Sequence, residues 1–187
     1  MKKNIFKMIK NLPEILSLSI EMINFKLEEL INLGYTKEEV IIMTSTYSAL
    51  YSLSIDYIKN KFIELLNLGF SIDEIKKMTI KFPSLYSLSI DNIRKKREFY
   101  DMVGLSDMMI LEPKYIMQSI ELSYARYMFL KNIGININMN NYRILFMGQN
   151  QFEKRFGKNN EQLIKIYNYD RYLENRDNMD KKIKMMK

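Results

Sequence analysis

From residue 54 to residue 69 the chain reads SIDYIKNKFIELLNLG, and this pattern of serine, apolar residues and glycine occurs three more times. Residues 19–34 and 89–104 align with it at a spacing of 35 residues without a gap. A fourth copy at 119–134 keeps the internal spacing of 15 residues but arrives five residues early. Self-similarity at a spacing of roughly 20–50 residues is typical of stacked-repeat proteins, which present a long surface rather than a buried catalytic centre.

Each copy predicts a pair of helices. Ser54 is a good N-cap, an apolar stripe follows at helical spacing, and Gly69 is suited to end the helix in a left-handed conformation. The second helix opens at a capping box, Ser71 with Glu74 here and Thr36 with Glu39 in the first copy. Linking turns are predicted at 13–16, 48–51, 83–86 and 113–116, and all three prolines of the chain fall at this position.

The predicted fold is therefore an all-α solenoid, right- or left-handed, of stacked helix–helix–turn repeats. About four clear units occupy 1–135 (approximately 11–45, 46–80, 81–110 and 111–135), and the second helix at 106–111 is short because five residues are missing there. A degenerate helical cap is predicted at 136–176, with an Asn-rich loop at 136–141 and a last helix pair, 146–156 and 161–167, around Gly157. Residues 177–187 are predicted to be a charged, disordered tail.

Composition argues against an enzyme. The 187 residues include no Cys and no His, so the usual zinc sites and the Ser-His-Asp and Cys-His systems cannot form. There is no Gly-rich phosphate loop, and adjacent carboxylates such as Glu28 and Glu29 lie on predicted helix starts or exposed faces. We predict no catalytic activity, cofactor or metal.

The sequence predicts a cytoplasmic location. No apolar run approaches the roughly 20 residues of a membrane span, and the basic start lacks the features of a signal or transit peptide. The Lys, Asn, Ile and Tyr content suggests an AT-rich genome of bacterial or phage-like origin. The mitochondrial matrix or another organelle is the alternative.

Charge favours a polyanionic partner. The net charge is +7, and it is carried mostly by residues 91–187, which hold 18 basic and 12 acidic side chains. One basic position recurs in every copy: Lys26, Lys61, Lys96 and Arg126. Because this position lies about 90° from the apolar stripe, stacking would align the four as a ladder that contacts phosphates. The alternative is that each side chain merely snorkels along the apolar face.

A run of four cations, Arg94-Lys95-Lys96-Arg97, is the second candidate. Arg97 falls where the earlier copies have Leu27 and Phe62, so a charge stands at a packing position. A solvated charge run explains Lys95, whereas the whole cluster favours contact with phosphate or an acidic partner. The other candidate cations belong to the C-terminal half: Lys131, Arg143, Lys154 and Arg155.

Aromatic residues at fixed repeat positions, such as Tyr51 and Tyr86, are predicted to be core, with stacking on unpaired bases as the alternative. The 15 methionines are predicted to fill gaps, although Met-rich surfaces also suit protein interfaces.

The repeat resembles that of the mitochondrial transcription termination factor (mTERF) family over residues 11–135. The resemblance rests on the run FPSLYSLS at 82–89 and on the fourth copy, where Arg126, Phe129, Leu130 and Gly134 occupy signature positions. Tyr100 departs from the pattern, as do Glu29 and Glu64, which stand where the family prefers Phe. The resemblance implies a curved solenoid whose concave, basic face binds duplex DNA or RNA in gene expression.

Two functions remain open at this stage. The first is a non-enzymatic nucleic-acid-binding repeat protein that contacts phosphates and regulates transcription or RNA processing. The second is a protein–protein module, an adaptor or inhibitor of a nucleic-acid enzyme or ribonucleoprotein. A continuous basic stripe would favour the first, and an exposed Met/Tyr patch would favour the second.

Overall fold

The computed structural model describes the backbone of residues 19–185 and the side chains of residues 19–176 and Asn178. The linking turn predicted at 13–16 lies outside the described residues. In the described range the chain consists of α-helices, short 3₁₀ helices and turns, with no strand. The predicted all-α class of helix–helix–turn repeats is confirmed.

Two compact units divide the described residues: 19–94 with 108–114, and 95–107 with 115–185. The sequence instead predicted one repeat region at 1–135 and a separate cap at 136–176. The fourth copy groups with the cap because its first helix packs against the helices that follow it, from residue 160 onwards.

The first unit contains the clearest repeats. Its helices are α1 (Ile20–Asn32), α2 (Lys37–Thr46), α3 (Ile55–Asn67) and α4 (Ile72–Lys81). The helix α5 (Ile90–Met102) begins in this unit and ends in the second, and α6 (Met108–Leu111) is the predicted short helix. The linking turns are 3₁₀ helices, Ser48–Tyr51, Pro83–Ser87 and Pro113–Met117. Within the unit α4 packs against α2, α3 and α6, so successive repeats lie side by side.

Local signals set the helix ends as predicted. The hydroxyl of Ser54 accepts a hydrogen bond from the amide of Tyr57 at 3.2 Å, and Gly69 follows α3 with a φ of 90°, which favours glycine. Both predicted capping boxes are present, with reciprocal bonds between Thr36 and Glu39 and between Ser71 and Glu74.

The core of the first unit is made by residues at repeated positions. Ile58 and Leu65 of α3 are fully buried, as are the linking-turn residues Leu50 and Leu85. Tyr86 is also fully buried, and its hydroxyl lies 2.8 Å from that of Tyr35. The core interpretation of Tyr51 and Tyr86 is confirmed.

The second unit contains the end of α5, then α7 (Ile120–Asn132), a 3₁₀ turn (Tyr142–Ile144), α8 (Gln149–Phe156), α9 (Asn160–Ile166) and α10 (Tyr169–Met185). The irregular stretch at 136–141 and the final helix pair around Gly157 match the prediction. Helix α7 packs against α9 and α10.

The predicted disordered tail begins at residue 177, and the described part of that segment is helical in the structure. Helix α10 continues to Met185. Charged residues are compatible with a solvated helix, so low apolar content alone was a poor guide to the helix end.

Candidate nucleic-acid interface

The recurrent cations of the repeats turn inward. Lys26 is half-buried and donates hydrogen bonds to the backbone carbonyls of Tyr51 and Leu53 in the following linking turn. Lys61 is 6% exposed, and its Nζ lies 2.7 Å from the carboxylate of Glu64 on the same helix. Both side chains are therefore held by acceptors within the first unit.

Lys96 is completely buried in the second unit. Its Nζ donates to the hydroxyl of Ser123 on α7 at 3.0 Å. Burial lowers the pKa of Lys96 to about 7, and the carboxylate of Glu121 opposes that shift. The ammonium thus sits in a poorly solvating environment with a neutral partner.

Arg126 of α7 is also completely buried. It donates to the carbonyls of Leu145 (3.1 Å) and Met147, and its Nε and Nη2 donate to Oδ1 of Asn160 at 3.2 and 2.9 Å. The guanidinium lies 4.3 Å from the ring centroid of Phe152. Burial lowers the pKa of Arg126 to about 10, which leaves it charged at neutral pH.

These positions correct the predicted ladder. Lys61, Lys96 and Arg126 cannot meet phosphates in the folded chain because their charged groups are buried. The snorkelling alternative does not describe Lys96 and Arg126, which are completely buried, since it would place each charged group in water. A position at the flank of the apolar stripe faces the space between helices, where internal acceptors take the charge.

The run of four cations divides between different environments. Arg94 is exposed and pairs with Asp91 at 2.9 Å, Lys95 is exposed, Lys96 is buried and Arg97 is half-buried. Arg94 belongs to the first unit, and the other three belong to the second. Because Lys96 is buried and Arg97 is half-buried, the run does not expose all four charges.

The remaining candidate cations are all exposed on the second unit: Lys131, Arg143, Lys154 and Arg155. Three of them lie near an aromatic ring. The distance from the charged group to the ring centroid is 6.0 Å for Lys131 and Tyr127, 5.8 Å for Arg143 and Tyr142, and 5.3 Å for Arg155 and Phe156. A guanidinium beside a ring keeps its N–H donors in its own plane, where they can bind a phosphate.

The two units differ in their balance of basic and acidic residues. Among the described residues, the first unit contains 9 basic and 11 acidic residues, and the second contains 15 basic and 10 acidic residues. In the first unit, two surface cations pair with carboxylates, with Lys76 at 3.2 Å from Glu39 and Lys114 at 3.1 Å from Glu112. On the second unit, Lys154 and Arg155 form no salt bridge with any described residue.

A comparison with protein families decides the identity. The mTERF family model matches residues 1–153, which is most of the chain. The chain belongs to the mTERF family. A comparison with curated proteins gives no significant match. The family is one of nucleic-acid-binding helical repeat proteins that are generally non-enzymatic.

The sequence did not single out every exposed cation of this mTERF protein. Lys158, Lys165 and Arg171 are exposed on the second unit as well. They are single charges outside the repeats, so the only signal for them was the basic excess of residues 91–187.

The described part of the mTERF chain contains neither a metal-binding cluster nor a membrane-spanning helix. No cluster of three or more carboxylates suited to a metal ion occurs among the described residues. Within the same range, no helix has both the length and the apolar character that a membrane crossing requires.

Proposed function

We propose that this mTERF protein binds duplex or structured nucleic acid through its phosphates and thereby regulates transcription or RNA processing. The contacts come from the exposed cations of the second unit, chiefly Lys95, Lys131, Arg143, Lys154 and Arg155. One observation supports this proposal most directly: the second unit holds five more basic than acidic residues, and these five cations are exposed on it. Neutralised phosphates release counterions, which supplies affinity without base contacts.

The buried cations have a supporting role in this function. Lys96 and Arg126 hold different segments of the second unit together, and the surface cations are left to meet the ligand. A lysine or arginine in a repeat signature is therefore not by itself a phosphate contact.

The test is a triple replacement on the second unit, Arg143→Gln, Lys154→Gln and Arg155→Gln. We expect weaker binding to fluorescent DNA and RNA duplexes in an anisotropy titration, because three phosphate contacts are removed. The matched control is Lys37→Gln, Lys77→Gln and Lys114→Gln, which removes the same charge from exposed positions of the first unit. Equal losses in the two variants would reject a local interface.

A protein partner is the second candidate, and the first unit favours it. This unit is nearly neutral, yet Ile63, Ile72 and Ile42 are 53%, 52% and 48% exposed. Exposed apolar side chains of this kind suit a protein interface. A pulldown from native cells with and without nuclease separates the two functions: a partner retained after nuclease treatment supports the protein interaction.

A further inference from the structure

We propose that Arg126 is a positioning residue for the nucleic-acid interface: it holds the segments that carry Arg143, Lys154 and Arg155 while making no contact with the ligand itself. This inference rests on the proposed function of the second unit.

The first link runs from Arg126 to the turn that carries Arg143. Nη1 of Arg126 donates to the carbonyls of Leu145 and Met147, which lie two and four residues after Arg143. The carbonyl of Leu145 also accepts a hydrogen bond from Nε2 of Gln118 at 3.3 Å. The turn is thus fixed by side-chain bonds to its backbone from Arg126 of α7 and from Gln118, which directly follows the linking turn Pro113–Met117.

The second link runs to α8 and α9. The guanidinium of Arg126 lies 4.3 Å from the ring centroid of Phe152, two residues before Lys154 on α8. Its other N–H groups bind Oδ1 of Asn160, the first residue of α9. One buried side chain therefore contacts the two helices and the turn that follow α7.

The first repeat contains a simpler version of the same bond. Lys26 donates to the carbonyls of Tyr51 and Leu53, which are also two residues apart, and the residues between and around them carry no charge. The recurrent cation thus binds the backbone of the next linking turn in both places. After the turn bound by Lys26, α3 carries Lys59, which pairs with Glu29. After the turn bound by Arg126, α8 carries Lys154 and Arg155, which are exposed and form no salt bridge with any described residue.

Loss of the guanidinium has a definite physical consequence. The carbonyl of Met147 and Oδ1 of Asn160 would lose their charged donor in a partly buried site, and the carbonyl of Leu145 would keep only Gln118. Acceptors that lose their donors on burial are unfavourable. The turn and α8 would then shift or loosen, and the three surface cations would move with them.

The experiment is a double-mutant cycle on the full chain with a duplex DNA probe. Arg126→Met alone is expected to lower the affinity and to reduce the salt slope by more than the value of about 0.9 that one phosphate contact contributes. In the background of the Arg143, Lys154 and Arg155 triple variant, Arg126→Met is expected to cause little further loss, because the cations it positions are already absent. Arg126→Lys keeps a cation for the two carbonyls and is expected to restore part of the affinity.

Lys26→Met is the matched control, because it removes the equivalent bond from the first unit. We expect it to lower the melting temperature and to leave the salt slope unchanged. If Arg126→Met does not fold, Asn160→Ala replaces it in the cycle. We expect Asn160→Ala to lower the affinity of the otherwise wild-type chain and to cause little further loss when it is added to the triple variant.

The outcomes separate the two proposals. A triple variant that binds like the wild type rejects the proposed interface. The positioning role alone is rejected if the triple variant binds weakly but Arg126→Met has no effect on affinity. It is also rejected if Arg126→Met lowers the affinity of the triple variant as much as it lowers that of the wild type. If Arg126→Met reduces the salt slope by only the value of about 0.9 that one phosphate contact contributes, the positioning role is also rejected. That result indicates direct contact between Arg126 and phosphate.

Discussion

Lys26, Lys61, Lys96 and Arg126 occupy equivalent repeat positions, yet each side chain finds a different partner. Arg126 has five N–H donors and satisfies several acceptors at once, whereas Lys96 has only the hydroxyl of Ser123 as a hydrogen-bond acceptor among the described residues. The cost of burying the charge is therefore least well offset at Lys96. This difference makes Lys96 the place where pH should affect stability.

We predict that the free energy of unfolding rises between about pH 7 and pH 9 because of Lys96. The pKa of this lysine is about 7 in the folded chain, whereas an unfolded lysine has a pKa of about 10.4, so the unfolded chain binds the extra proton in this range. The slope for one proton is at most about 1.4 kcal/mol per pH unit. Above about pH 10 the trend reverses, because burial raises the pKa of Tyr35 to about 12 and the unfolded chain then loses a proton first.

Urea denaturation at a series of pH values checks this prediction. In Lys96→Met the rise with pH should be much smaller, and Lys95→Met, at the exposed neighbouring position, should retain it. A wild type whose stability is flat from about pH 7 to pH 9 would contradict the burial of an ionisable amine at this site.

At the level of the helices, the sequence was a reliable guide because the signals are local. A hydroxyl N-cap, a carboxylate three residues later and a C-terminal glycine act within one turn of a helix, and the capping box at Thr36 and Glu39 was found where it was predicted. The direction of a long cation is different, since its acceptor lies in another segment. Nothing near Arg126 in sequence indicates that Leu145 and Asn160 will bind it.

Gly34 provides a test of the helix ends. It has a φ of 96°, and no heavy atom of the described residues lies within 4 Å of the position that a Cβ would take. Gly34→Ala should therefore destabilise the protein by about 1–2 kcal/mol through backbone strain alone. Gly148, with a φ of −56°, is the control, and Gly148→Ala should have a much smaller effect on the melting temperature. Equal effects would show that the left-handed conformation is not the cause.

For the whole molecule, the all-α repeat class follows from periodicity, and the family follows from the resemblance of the repeat motifs and the match over residues 1–153. Neither shows which cations are buried and which are exposed. Counts of charge located the basic excess in residues 91–187 without showing that Lys96 and Arg126 are buried while Lys154 and Arg155 are exposed. That distinction depends on packing between helices, which repeat alignment does not contain. The division into units also depended on contacts between α7 and the helices that follow it.

The central claim is that surface cations of the second unit bind phosphates, and the salt dependence of duplex binding tests it most directly. The account predicts that the Arg143, Lys154 and Arg155 triple variant lowers the slope of log affinity against log salt by roughly 2–3, at about 0.9 for each lost contact. The Lys37, Lys77 and Lys114 variant should leave that slope near the wild-type value. A triple variant with an unchanged slope, or an equal reduction in both variants, would contradict the account.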